Sequence, residues 1–174
     1  MDATPRAEVL RAELMRRAAR DQRVRTSTPP TSLSPLTALR FLWVDDRNTA
    51  WLDRVVRRTG WPGIALVGPA AAHAAWLLAQ HADRRRRTQR RFLLAMREAA
   101  GRGDADRKDL AYLEDRVRVN AGRPQRYGTQ YGLTAAGFGP RPIEDPDGLD
   151  ARRAEVGLPP IGDHDAAPRR HPTV

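Results

Sequence analysis

The sequence predicts an all-α fold, an irregular bundle of about five helices joined by long ordered loops, on three observations. Apolar residues return at three- and four-residue spacing in several separate stretches. Glycine, proline, asparagine and aspartate punctuate the chain between those stretches. No internal repeat and no convincing set of alternating strand patterns interrupts them. Residues 1–163 read as a single helical domain and 164–174 as a disordered tail, a length that supports a proper core without staples.

Each element follows from its own residues. Leu10, Leu14 and Ala18 share one face of a helix over residues 5–25, with Asp21, Gln22 and Arg25 near its end. Proline, serine and threonine make 26–38 a loop, ordered across a groove or mobile. The apolar run from Leu39 to Val44 is too short for periodicity to separate strand from helix. Asn48 is placed to cap a helix over 49–59 that buries Trp51, Leu52, Val55 and Val56 and stops at Gly60. After the connection Gly60–Gly63, Pro69 suits a first helical turn. From there to Ala100 the chain reads as one long helix, about 45 Å if continuous, or as two segments broken near the arginine run. Asp104 is the expected cap of a helix reaching Val119 on the stripe Leu110, Leu113 and Val117. Residues 123–142 read as a structured loop, followed by a short helix at 149–156 and a peripheral wrap.

Composition narrows the function classes. The chain has no cysteine, which excludes a disulfide scaffold, a thiolate nucleophile and thiolate metal sites. A net charge of +10 invites a nucleic-acid reading. Of the 31 basic residues, however, only Lys108 is lysine, a pattern that GC-rich coding produces as readily as selection for a polyanion surface. The run Arg84–Arg87 with Arg90 and Arg91 lacks interleaved aromatics and suits a solvated helix face. Nucleic acid is therefore not the expected partner. No apolar stretch suits a signal peptide or a membrane span, so the expectation is a cytoplasmic protein with no membrane contact.

Polar groups interrupt the apolar stripes at a few places. At about 100° per residue, His81 falls on the side of Ala74, Leu77 and Leu78, where partial burial fits an imidazole for proton transfer. A core histidine satisfied by a carbonyl or carboxylate fits the same pattern. A second stripe carries His73, Trp76, Gln80, Asp83 and Arg87, lining a cleft edge or facing water. Tyr112, Asp115 and Arg116 flank the stripe of the following helix; Asp115 either orients an imidazole, acts as a base, or forms an ordinary salt bridge. Gln125, Arg126, Tyr127, Gly128, Thr129 and Gln130 concentrate amide, hydroxyl and guanidinium groups in a turn-forming segment, which binds a ligand or caps helix ends. His73 and His81 point about 80° apart, and HExxH, GxSxG, phosphate-loop and dinucleotide patterns are absent. No metal and no cofactor is expected.

The blocks DQRVR at 21–25, DDRN at 45–48, GWP at 60–62, Gly68, QHAD at 80–83, LEDRV at 113–117, PQRYGTQ at 124–130, and the late LDARR with GLPP span most of the chain. In them the sequence resembles the DUF6624-like family of uncharacterised bacterial proteins. The resemblance implies family hallmarks at Gln80, His81, Asp83, Asp115, Arg116, Tyr127, Thr129 and Gln130 and implies no chemistry. His73 and the arginine block after Asp83 fall outside it.

The expected function is a small cofactor-independent enzyme acting on a small polar substrate by acid/base chemistry, as hydrolysis, elimination or isomerisation, in a bacterial natural-product pathway. His81 and Asp115 are its expected catalytic pair. Gln80, Asp83, Tyr112, Arg116, Gln125, Tyr127, Thr129 and Gln130 are the expected substrate contacts. The alternative is a non-catalytic accessory module that binds a small molecule or a protein.

Overall fold

Leu14, Leu52, Leu78, Phe92, Met96 and Leu113 come from five different helices and meet in one core, each under 2% exposed. Full burial of such side chains contributes about 1.5–3 kcal/mol apiece, which is why the stripes find one another. The computed structural model describes residues 5–26, 35–135 and 137–166. Over those residues the fold is helical, with one small hairpin.

The five longest helices are α1 (Pro5–Thr26), α2 (Pro35–Thr59), α4 (Pro69–Gln80), α5 (Arg86–Gly101) and α6 (Arg107–Asn120). A single turn, α3 (Ile64–Val67), precedes α4, and α7 (Leu149–Glu155) and α8 (Ile161–Ala166) follow the hairpin. α4 lies in the middle and touches α1, α2, α3, α5 and α6. Its buried alanines, among them Ala71, Ala75 and Ala79, leave room for that many neighbours to approach.

Several expected boundaries move. Leu39–Val44 takes the helical of its two alternatives, because α2 runs unbroken from Pro35, and Asn48 sits buried in its interior rather than capping a start at 49. Packing of one continuous face, Val44, Asn48, Thr49 and Leu52, outweighs the local capping signal. The loop expected at 26–38 is accordingly shorter at both ends, with Thr26 in α1 and 35–38 in α2; 27–34 lie outside the described residues. Asp104 does not cap α6. That cap is Asp106, whose Oδ1 accepts from the amides of Lys108 and Asp109, while Asp104 accepts at Oδ1 from the Ala65 amide and ties down α3. α8 carries helix to Ala166, past the expected domain end at 163, and 167–174 lie outside the described residues.

The span from Pro69 to Gly101 is the two-segment alternative. α4 stops at Gln80, His81 caps it, and a 3₁₀ turn, Asp83–Arg85, leads into α5. Gln89, fully buried, holds the break by donating from Nε2 to the carbonyls of Gln80 and of Ala79, the latter also accepting from the Ala82 amide. The segment read as a loop at 123–142 contains β1 (Tyr131–Thr134) and β2 (Gly137–Pro140), antiparallel with Tyr131 opposite Pro140. Four-residue strands rich in glycine carry too little alternation to be seen in sequence. No helix of the described residues is long and apolar enough to cross a membrane.

Candidate functional site

Glu13, Arg17, Asp21 and Arg25 repeat every four residues and so line one face of α1. Arg17 pairs with Glu13 and donates from Nη1 to Asn48 Oδ1 of α2 at 3.2 Å. One turn further along, Arg25 bridges two carboxylates, with Nε 3.2 Å from Asp21 Oδ2 and Nη2 2.6 Å from Asp45 Oδ1 of α2. His81 closes the group from the end of α4, its Nδ1 2.9 Å from Asp21 Oδ2. Three helices thus bring two acids, an imidazole and a guanidinium to one place. The blocks at 21–25, 45–48 and 80–83 are the ones that meet there.

Burial divides the two acids. Asp21 is 1% exposed; burial pushes its carboxyl up, but the contacts and charges of His81 and Arg25 outweigh that and hold it below the usual 3.8. Burial also pushes Asp45 up, and there Arg25 and His81 offset it only in part, so its carboxyl stays above the usual range. The His81 side chain is 17% exposed, and Nδ1 is sealed from solvent. The Nδ1–Asp21 contact has ion-pair length without good hydrogen-bond direction. Contacts of this kind tighten when a substrate closes a site.

Donor atoms of Asp21, Asp45 and His81 lie within 4.8 Å of one another, the only such metal-ligand grouping among the described residues. Arg25 already supplies the positive charge between the carboxylates. A divalent cation about 4 Å from that guanidinium would meet roughly 8 kcal/mol of repulsion at an effective dielectric of about 20. Arg25 therefore competes with any cation for the two carboxylates.

Asp115 is engaged elsewhere. Fully buried on α6, it accepts from the amides of Arg126, Tyr127 and Thr129 at 2.7, 3.1 and 3.0 Å and from Thr129 Oγ1 at 2.9 Å. Burial raises its carboxyl even against those donors. Asp83 accepts from Arg116 Nε at 3.0 Å, Asn120 Nδ2 at 2.7 Å and Gln89 Nε2 at 3.1 Å. Burial opposes its charge, and Arg116 with the two amides more than restores it, holding the carboxyl below its usual value. Arg116 continues to Gln130 Oε1, Gln130 donates to Thr129 Oγ1, and Gln125 spans the Gln130 main chain and the Arg141 carbonyl.

The expected site residues thus fall into two groups. His81 joins Asp21, Arg25 and Asp45, with Gln80 beside it in the chain. Asp83, Asp115, Arg116, Gln125, Thr129 and Gln130 form a second network that fastens the 125–130 loop to α6 and to the α4–α5 break. Tyr112 contributes its carbonyl to Gln130 Nε2, and Tyr127 its amide to Asp115 and its carbonyl to the buried Arg153. Burial raises both phenols. Sequence reasoning assigned no role to Asp21, Arg25 and Asp45. The signal was present: Asp21 lies seven residues after Leu14 and Asp45 seven before Leu52, so acids occupy positions in phase with the core.

A protein-family model described as a family of unknown function matches residues 8–166. No curated protein and no solved structure matches the chain.

Proposed function

We propose, for a chain that belongs to the DUF6624 family, an enzyme that acts on a small polar substrate by acid/base chemistry at the junction of α1, α2 and α4. The observation that carries this reading is the 2.9 Å contact of His81 Nδ1 with the buried, ionised Asp21. A carboxylate this close to Nδ1 favours the tautomer protonated there once the contact aligns into a hydrogen bond, so that Nε2 takes a proton and the carboxylate stabilises the imidazolium that forms. His81 and Arg25 together keep Asp21 ionised, and Asp45, with its raised carboxyl, is the second group able to hold a proton. Two acids whose surroundings push them apart in this way suit opposite halves of a proton-transfer cycle.

Unsatisfied donors add support. Gln80 Nε2 and Asn48 Nδ2 are buried without partners, one next to His81 in the chain and the other one turn from Asp45 on α2. Buried donors of this kind call for an acceptor, and a substrate carbonyl or hydroxyl would supply one once the helix junction opens to admit it, both atoms being sealed in this structure. The reactions in keeping with these groups are hydrolysis, elimination and isomerisation. A small polar ligand rather than nucleic acid, a bacterial cytoplasmic setting and a biosynthetic role belong to the same proposal. In favour of the first, Arg84, Arg85 and Arg91 of the basic run are paired with Asp46 and Asp53.

The test is to incubate the protein and its His81→Ala variant with a pool of cellular metabolites and compare the pools by mass spectrometry. Turnover by the parent that falls about 10²- to 10⁴-fold in the variant supports general acid/base catalysis. A compound retained by both and transformed by neither makes the chain a binding module instead.

A further inference from the structure

Donor atoms of Asp21, Asp45 and His81, from three different helices, converge within 4.8 Å of one another. Two carboxylates meet one guanidinium there, so with both acids ionised and the imidazole neutral one negative charge is left over. The His81 contact adds an independent observation. Nδ1 lies 2.9 Å from Asp21 Oδ2, yet it has no well-directed hydrogen bond and is sealed from solvent. At metal–ligand bonds of about 2.0–2.2 Å, two ligands of one ion set about 90–110° apart stand roughly 2.9–3.4 Å from each other. Their lone pairs then point at the ion and not at one another. Length without direction is the relation that a shared cation imposes on its ligands.

We propose that Asp21, Asp45 and His81 bind a divalent first-row transition cation of the zinc class, which takes the place of the Arg25 guanidinium. The donor set fixes that class. An imidazole beside two carboxylates favours zinc and its neighbours over magnesium and calcium, and the chain has no thiolate to draw a softer ion. Arg25 marks where the ion sits and how it enters. Its guanidinium bonds both carboxylates, and its side chain, 12% exposed, belongs to the last turn of α1. When it swings outward the repulsion goes with it, and the cation supplies two positive charges where the guanidinium supplied one. The ion engages the same atoms as the acid/base chemistry proposed for His81, so its binding would hold that chemistry in check. Binding itself does not depend on that chemistry.

Titration calorimetry of the full chain with zinc, and with magnesium as the control, tests the site without turnover, so its failure is separate from that of the catalytic reading. One zinc per chain is expected, bound at least about a hundredfold more tightly than magnesium. Asp45→Asn, at a side chain still 19% exposed, should weaken zinc at least about tenfold, and His81→Ala should do the same. Arg25→Gln removes the competitor and should tighten zinc by about tenfold or more. That gain discriminates best, because a variant that merely loses its fold loses the site. Cobalt(II) in place of zinc should shift the ring protons of His81 far more than those of His73 in proton NMR of the unaltered chain. Zinc affinity unchanged by Asp45→Asn and His81→Ala, affinity lowered in a folded Arg25→Gln chain, or magnesium bound as tightly as zinc would overturn the proposal, as would cobalt shifts that favour His73.

Discussion

His81 and Asp83 stand two residues apart at the α4–α5 break, yet His81 meets Asp21 of α1 at 2.9 Å while Asp83 accepts from Arg116 of α6 at 3.0 Å. The short turn between them separates the cluster proposed for proton transfer from the network that fastens the 125–130 loop. Substitutions at the two positions should therefore act independently. Asp83→Asn strips the charge from three donors and is expected to lower unfolding free energy by about 1–3 kcal/mol. His81→Gln keeps a donor near the buried Asp21, so it should cost about 1 kcal/mol of stability and lower turnover by the about 10²- to 10⁴-fold expected of His81→Ala. The two residues share no hydrogen-bond partner, so their coupling in urea denaturation should stay at the low end of the about 0.5–3 kcal/mol typical of neighbouring residues. A larger coupling would mean that the networks are one.

Asp115→Asn puts the second network under a sharper test. The carboxylate receives three backbone amides and one hydroxyl in a fully buried position, and an amide in its place turns one acceptor into a donor. A loss of about 2–4 kcal/mol is expected, since removing one member of a buried charged network strands the rest. Hydrogen exchange should quicken at Arg126, Tyr127 and Thr129 before it does in the core. Intact stability with lost turnover would return Asp115 to the proton-transfer cluster.

Helices were legible where a stripe and its stops coincide, as with Leu110, Leu113 and Val117 before Gly122. They were misread where a local signal competes with packing: Asn48 has the chemistry of a cap, but burial of the face it shares with Leu52 keeps the helix running through it. The candidate site was half legible. His81 stood out as a polar residue on an apolar stripe, whereas its partner could not be read, because the distance between residues 21 and 81 depends on how α1 packs on α4. Asp115 offered the same sequence signal as Asp21, and only the fold separates the acid that meets the imidazole from the acid that holds a loop.

Acid stability should follow Asp83. Its folded-state carboxyl is held below the usual 3.8, so it contributes stability that is present above that value and lost as pH falls through the lower folded value. Asp83→Asn is expected to flatten the acid limb of a plot of unfolding free energy against pH. His73 acts with the opposite sign. Asp109 raises it above 6.5, so its contribution is complete below that pH and is lost as pH rises through the higher folded value. His73→Gln should accordingly trim the neutral-to-alkaline limb and leave the acid limb alone. The effect will be small, because the ring is largely exposed.

Gln130 decides whether the 125–130 loop serves the fold or the site. Its Oε1 accepts from Arg116 Nη1 at 3.2 Å, and its Nε2 donates to Thr129 Oγ1 at 3.1 Å and lies 3.5 Å from the Tyr112 carbonyl. Its main-chain N–H reaches Gln125 Oε1 at 2.8 Å, and its carbonyl accepts from Gln125 Nε2 at 3.0 Å. Both ends of the side chain are thus committed inside the protein, leaving little for a substrate to use. Gln130→Ala cuts the link between the Asp83–Arg116 pair and the Asp115–Thr129 pair while leaving the backbone bonds to Gln125 in place. About 1–3 kcal/mol of unfolding free energy should be lost, because half-buried donors and acceptors are left without partners. Turnover per folded molecule should hold. Denaturant midpoint and turnover measured on the same preparation separate the outcomes: a midpoint that stays put while turnover collapses would assign the side chain to substrate and reverse the structural reading of the loop.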